Sequence, residues 1–194
     1  MTTSSFSLII PAYNEETRLG NALTGVLQYL RDHFSEWEMI YVDDGSTDNT
    51  YSRLVEYQKK NPELRILRHP VNRGKGRAVR TGLEEAKGDL VLFSDADFST
   101  PIEDVEKLLS RLSDGFDIAI ASRGVPGANV EIRQSIFRDT MGKLGNVVVQ
   151  SVLLLPFEDT QCGFKLYKKA ALKKILPKLT VDGFAFDMEK RSGE

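Results

Sequence analysis

Asp89-Leu-Val-Leu-Phe-Ser-Asp-Ala-Asp-Phe-Ser-Thr-Pro101 is the stretch on which the reading of this chain turns. Residues 90–93 are an unbroken apolar run, the pattern of a central parallel strand covered on both faces. The run ends at Ser94, and two carboxylates follow, Asp95 and Asp97. Residues i and i+2 of an extended chain point the same way, so both acids can face one spot at the carboxyl end of the strand. Open α/β sheets bind their ligands there. Carboxylates so close repel each other unless a cation lies between or beside them, and hard oxygen ligands suit Mg²⁺ or Mn²⁺. Thr100-Pro101 then opens a helix, with Thr100 as N-cap and Pro101 in the first turn. An Asp-x-Asp on its own also reads as a turn with two solvated acids, so the context has to decide.

That context is an alternation of strands and helices. Strands are expected over residues 5–11, 36–42, 64–67 and 116–121 as well as 90–93. Between them lie helical patterns at 17–34, where Leu19, Leu23, Val26, Leu27 and Leu30 recur on one face, at 48–60 with Ser46 or Thr47 near the cap, from the loop 69–76 to about residue 86, and at 102–113. This spacing means βαβ units: an α/β domain with a mostly parallel central sheet and helices on both faces. No repeat, low-complexity tract or linker divides it, so residues 1–194 are read as one domain. Beyond Arg123 the pattern changes. Residues 131–155 are helix-like, with Gly142 and Gly145 dividing them and a second half that is apolar nearly all round. Such a helix is buried or lies against a greasy surface, and burial is the commoner outcome. Residues 164–167 read as a further strand and 169–176 as a short helix.

Composition narrows the function classes. A net charge of −2 gives no positive field to hold a polyanion, so nucleic acid is not an expected partner. The single cysteine, Cys162, excludes an internal disulfide and is in keeping with a reducing compartment. With only His33 and His69, a histidine-based zinc site is not expected, and neither histidine is given a role. No apolar run approaches the ~20 residues of a spanning helix, and no signal peptide precedes the first strand. The expected location is the cytoplasm, with any membrane met from its cytosolic face.

Three strands end in acids: Glu15 past the first, Asp43 and Asp44 at the second, Asp95 and Asp97 at the fourth. Parallel strands bring all of these to one edge of the sheet, where carboxylates bind ribose hydroxyls, base N–H groups or a metal. The loop before the third helix is their basic counterpart. Arg73, Lys75, Arg77 and Arg80 crowd its first turns, where the helix dipole prefers negative charge. An anion held by these cations and by free backbone N–H groups would remove that conflict, and Gly74 and Gly76 let the backbone approach it. The loop is not a Walker motif. Acids for a metal, a base-and-ribose pocket and a basic loop together point to a bound nucleotide diphosphate.

Pro11-Ala-Tyr-Asn-Glu15, Val42-Asp-Asp-Gly-Ser-Thr-Asp-Asn-Thr50, Asn72-Arg-Gly-Lys-Gly-Arg-Ala-Val-Arg-Thr-Gly82 and Ser94-Asp-Ala-Asp-Phe-Ser-Thr-Pro101 resemble, in order, the motifs of family 2 inverting glycosyltransferases with the GT-A fold. Asp159-Thr-Gln-Cys-Gly-Phe-Lys-Leu-Tyr167 and Gly183-Phe-Ala-Phe-Asp-Met-Glu189 are similar to the branch that moves glucose from UDP-glucose to dolichyl or other polyprenyl phosphates. The resemblance implies that Pro11, Tyr13 and Glu15 line the base pocket, with Asp43 and Asp44 helping to hold base and ribose. It places Arg73 and Lys75 on the diphosphate side, and Asp95 and Asp97 on Mg²⁺ or Mn²⁺, Asp97 the more direct ligand. Ser122 and Arg123 would sit near the sugar, Gln161 and Lys165 near the acceptor phosphate or the sugar. Asp187 and Glu189 match the acidic pair where such enzymes place a catalytic base. Relatives usually continue beyond that pair, so a domain shortened at its C-terminus is expected. The implied partners are a nucleotide-sugar donor, a polyprenyl phosphate and, through it, a membrane surface. A GDP-mannose-dependent mannosyltransferase and a nucleotide-sugar-binding domain without catalysis remain open. A nucleotidyltransferase would open with a glycine-rich loop after its first strand, which Pro11-Ala-Tyr-Asn-Glu15 is not.

Overall fold

The computed structural model describes residues 4–121 and 163–178. Among these residues six strands form one sheet: β1 (Phe6–Ala12), β2 (Trp37–Asp43), β3 (Leu64–Arg68), β4 (Leu90–Ser94), β5 (Ile118–Ile120) and β6 (Phe164–Lys168). Their order across the sheet is β3-β2-β1-β4-β6-β5. β1, β2, β3 and β4 pair in parallel, while β6 runs antiparallel between β4 and β5. The mostly parallel sheet expected from the sequence is therefore present, with one reversed strand inside it. The chain lays β2 and β3 on one side of β1 and then returns to place β4 on the other. That reversal opens a crevice between the carboxyl ends of β1 and β4, the place where doubly wound sheets bind ligands.

Both faces of the sheet are covered, and the strands read accordingly. Leu8 and Ile10 of β1 join Leu92, Phe164 and Leu166 in one apolar cluster with Leu23, Leu27 and Leu30 of helix α1 (Asn21–His33) and Leu108 and Leu112 of helix α4 (Val105–Ser113). Ile9, Ile40, Val42, Val91 and Phe93 point the other way, onto Ala78, Val79 and Leu83 of helix α3 (Lys75–Glu85) and Leu172 of helix α5 (Lys169–Ile175). Leu8, Ile9 and Ile10 have no exposed surface, and burying such side chains contributes about 1.5–3 kcal/mol each. α3 lies very close to the sheet because residue 82 is glycine. A Cβ there would overlap the Ile9 side chain and crowd that of Val42.

Several boundaries differ from the sequence expectation. α1 starts at Asn21 rather than near residue 17, since the chain first makes a turn in which Arg18 N and Leu19 N donate to Glu15 O. Helix α2 (Thr50–Lys60) follows Asn49, not Ser46 or Thr47, and the Asp48 carboxylate accepts from Thr50 N. Thr100 caps nothing with its side chain. Pro101 occupies the cap position, and the first turn, Ile102–Asp104, is a 3₁₀ turn leading into α4. β5 is shorter than expected because Gly115, at φ +99°, ends the preceding helix and leaves Phe116 58% exposed. The anticipated helix over 131–155 lies outside the described residues.

Candidate functional site

A cavity of about 520 Å³ opens at the β1–β4 switch point. That volume falls within the ordinary range for small-molecule sites. Pro11, Ala12, Tyr13 and Glu15 line it from the exit of β1, Asp44 from the exit of β2, and Asp95, Ala96 and Asp97 from the exit of β4. Asn72, Gly74, Lys75 and Ala78 form the wall contributed by the third loop and α3. Sequence elements far apart are thus brought to one edge by the parallel topology alone.

The exit of β1 is pinned to the start of α2. Asn14 N donates to Ser46 Oγ, Thr47 N to Asn14 Oδ1, and Glu15 N to Thr50 Oγ1. Asn14 adopts φ +54°, a left-handed conformation that Asn tolerates better than most residues. Tyr13 is 44% exposed, an aromatic face at the cavity rim, and Glu15 is paired with Arg18 at 3.0 Å.

The adjacent acids Asp43 and Asp44 part company. Asp43 is fully buried and does not line the cavity. Its Oδ1 accepts from Ser46 N, and its Oδ2 faces Arg68 Nε at 3.0 Å, an ion pair without hydrogen-bond alignment. Asp44 reaches across to the third loop. Its Oδ1 accepts from Arg73 N and lies 2.6 Å from His69 Nδ1, and its Oδ2 accepts from Gly74 N at 2.8 Å. A protein carboxylate therefore sits at the N-terminus of α3, where the helix dipole favours negative charge. The basic loop thus receives part of its negative charge from within the protein and does not depend on an external anion for it. The amides of Arg73 and Gly74 are already engaged.

Of the four cations in that loop, Lys75 alone lines the cavity. Its Nζ lies 2.6 Å from Asp95 Oδ1. Arg73 is exposed, and Arg80 turns aside to Glu84 at 2.8 Å. Arg77 is half-buried, and its Nε has no hydrogen-bond partner.

Asp95 and Asp97 share the cavity, as the i, i+2 reading requires. Asp97 is exposed and accepts from Ser99 N at 3.0 Å. Phe98, next in sequence, is held at φ +47°, a rare conformation for a bulky residue and one that clusters at binding sites. Asp95 N donates to Gly163 O, and a Cβ at residue 163 would overlap the Asp95 carboxylate. Gly163 is thus the surface against which Asp95 rests, and sequence reasoning did not single it out.

The donor set fits a divalent cation that arrives with its own ligands. Among the described residues no three Asp, Glu, His or Cys side chains converge into a cage. Mg²⁺ and similar hard ions are commonly held by one or two carboxylates plus substrate phosphates and water. Asp95 Oδ1 is buried and faces an ammonium, so the position already accommodates positive charge.

Lys165 is 2% exposed, on β6 opposite Phe93 and Ile120, and does not line the cavity. A lysine so buried is held by partners, and Lys165 is not without one. Ser122, Arg123, Gln161, Cys162, Asp187 and Glu189 lie outside the described residues. His69, left without a role by the sequence, is 7% exposed and central to the third loop. Its position immediately after β3 was the available signal, since the other site residues also follow strand ends.

Comparison with known proteins gives relatives in sequence and in fold. A dolichyl-phosphate beta-glucosyltransferase of Saccharomyces cerevisiae is 37% identical over 94% of this chain. The chain spans 60% of that relative's length. Glucosyl-3-phosphoglycerate synthase from Mycobacterium tuberculosis, solved with Mn²⁺, UDP-glucose and phosphoglyceric acid, superposes with a TM-score of 0.68 at 20% identity, over 96% of this chain and 63% of that one. A mannosyltransferase from Pyrobaculum calidifontis, solved with GDP-Man and Mn²⁺, gives a TM-score of 0.61 at 21% identity, over 89% of this chain and 47% of the other. Both share the GT-A fold read from the sequence. The family model for glycosyl transferase family 2 matches residues 7–176, and with most of its length matched the chain belongs to that family.

Proposed function

We propose that this chain is the donor-binding and catalytic part of an enzyme that transfers glucose from UDP-glucose to a dolichyl or other polyprenyl phosphate, inverting the anomeric centre. One observation carries the reading: the switch-point cavity gathers Tyr13, Asp44, Lys75, Asp95 and Asp97 on a single rim. The glucosyltransferase name of the yeast relative supports the choice of sugar and acceptor.

In this reading Tyr13 offers its ring to the base, and Glu15 and Asp44 take base or ribose donors. Asp95 and Asp97 would hold Mg²⁺ or Mn²⁺ beside the diphosphate. When bound, the ion supplies charge stabilisation for the departing diphosphate. Lys75 turns from Asp95 to the diphosphate and adds a second positive charge there, with Arg73 beside it. The acceptor phosphate oxygen attacks the anomeric carbon from the face opposite the nucleotide. A phosphate monoester is already largely ionised at neutral pH, with a second pKa around 6, so the demand for a strong general base is small. Asp187 and Glu189 then orient the acceptor more than they deprotonate it. Gln161 belongs to the acceptor side of the site and Arg123 to the sugar, whereas Lys165, 2% exposed and off the cavity, would act only from behind the acceptor side. The acceptor's lipid would bring the protein to the cytosolic face of a membrane. No helix among the described residues is long and apolar enough to cross one.

GDP-mannose is the second donor to test, because the same fold carries GDP-Man in the Pyrobaculum protein. The intact protein is incubated with labelled UDP-glucose or GDP-mannose, a polyprenyl phosphate and Mn²⁺, and the lipid fraction is extracted. Label in lipid from UDP-glucose alone is the expected result. Label from GDP-mannose alone would transfer the reading to mannose, and nucleotide binding without lipid product would make the chain a binding domain.

A further inference from the structure

His69 is buried, and both ring nitrogens are engaged. Nδ1 lies 2.6 Å from Asp44 Oδ1, and Nε2 lies 3.0 Å from Thr81 Oγ1 on α3. Its backbone N–H donates to Asp43 O at 2.9 Å, extending the β2–β3 pairing by one residue. The ring therefore joins the exits of β2 and β3 to the second turn of α3. A carboxylate only accepts, so Nδ1 carries the proton toward Asp44. In the neutral ring Nε2 then accepts from the Thr81 hydroxyl. Asp44 spends its other bonds on the amides of Arg73 and Gly74, directly beside the cavity-lining Asn72, Gly74 and Lys75. Its Oδ2 takes only the Gly74 amide and keeps a lone pair for a ligand.

We infer that His69 is a positioning residue of the donor site: by donating from Nδ1 it fixes the Asp44 carboxylate in the one orientation that both shapes the third-loop wall and presents Oδ2 to a nucleotide. The inference rests on the cavity being the nucleotide site. His69 touches no ligand itself. It acts through Asp44, and the working contact is the Nδ1 bond. The Nε2 bond to Thr81 contributes to stability alone.

Asn and Gln separate the two bonds. In His69→Asn the side-chain amide nitrogen stands where Nδ1 stood and keeps the donor to Asp44. In His69→Gln the amide group stands where Nε2 stood, its oxygen accepting from the Thr81 hydroxyl, and the donor to Asp44 is lost. UDP binding to the intact protein with Mn²⁺ is measured by calorimetry, alongside melting temperature. His69→Asn is expected to bind UDP within about threefold of wild type, whereas His69→Gln and His69→Ala weaken it roughly tenfold or more. Each variant should also melt lower than wild type, since each loses at least one buried hydrogen bond. Equal UDP affinity in the Asn and Gln variants, high or low, would overturn the inference, and so would weak binding by His69→Asn. If His69→Ala fails to fold, the Asn–Gln comparison decides alone. Wild type that binds neither UDP nor GDP with Mn²⁺ would instead overturn the reading of the cavity as a nucleotide site.

Discussion

Lys75 Nζ stands 2.6 Å from Asp95 Oδ1 across the switch-point cavity, within ion-pair reach but out of line for a hydrogen bond. The lysine holds the place beside Asp95 that the proposed metal would claim. Lys75→Met is therefore expected to tighten Mn²⁺ binding several-fold when no nucleotide is present, and to weaken UDP binding in its presence. Manganese paramagnetic resonance reads the first and calorimetry the second. Arg73→Met, which removes an exposed charge nearby, serves as the control for general electrostatics. An equal gain in both variants would count against a specific pair. Stability should change by less than ~1 kcal/mol, because the pair is only partly buried.

Asp97 is exposed, and its one hydrogen bond stays within its own turn. Asp97→Asn should leave the fold within about 0.5 kcal/mol of wild type, as surface changes commonly do. Transfer with either Mg²⁺ or Mn²⁺ should fall by orders of magnitude. Unchanged transfer in both metals would remove Asp97 from the metal role.

Gly163 supports Asp95 from below. Gly163→Ala forces the new methyl into the Asp95 carboxylate, the short end of one side chain and not a packed core. The carboxylate moves, and the fold survives. The expected outcome is a small loss in melting temperature with UDP–Mn²⁺ affinity down roughly tenfold, a misplacement effect of the kind expected when a site group shifts by about an ångström. A large stability loss with affinity preserved would show that Gly163 matters for packing instead.

The strand ends were legible because a parallel sheet sends every strand exit to one edge, and Glu15, Asp44, Lys75, Asp95 and Asp97 all follow from that rule and meet at the cavity. What each acid does once there was not legible. Asp43 and Asp44 are neighbours, yet the alternation of an extended chain turns one to Arg68 and the other to the third loop. The third strand is followed by His69 rather than an acid, so a search for carboxylates passed over it. The loop looked like an anion site because its acidic partners, Asp44 for the Gly74 amide and Asp95 for the Lys75 ammonium, come from strand ends 30 and 20 residues away in sequence. Caps were misassigned at Thr100, where Pro101 takes the cap position, and at Ser46, whose hydroxyl accepts from Asn14 N instead of capping α2.

Gly82 allows α3 to sit against β1 and β2. Gly82→Ala places a methyl into the Ile9 side chain and against Val42, both with no exposed surface. Helix propensity favours the change by about 1 kcal/mol, but overpacking a filled core costs typically 1–3 kcal/mol. A net loss is expected, read as a lower denaturant midpoint at unchanged m-value. A gain would mean that the α3–sheet gap yields more easily than its packing suggests.

Glu38 gives a pH dependence of known sign. Burial works to raise its pKa, but the Arg65 guanidinium at 2.6 Å, the Lys87 amide and the Ser7 hydroxyl outweigh it and hold the carboxyl below its ordinary value of 4.5. A carboxyl whose folded pKa is depressed stabilises the fold above its unfolded pKa, and that contribution is lost as pH falls through the folded value. Wild type should therefore be more stable than Glu38→Gln near neutrality, with the gap closing as pH drops below about 4.5. Denaturant midpoints of both proteins, measured from about pH 7 down to about pH 3, test this. A gap that stays constant across that window would mean the carboxylate's charge contributes nothing, and that packing against Arg65 explains the whole difference.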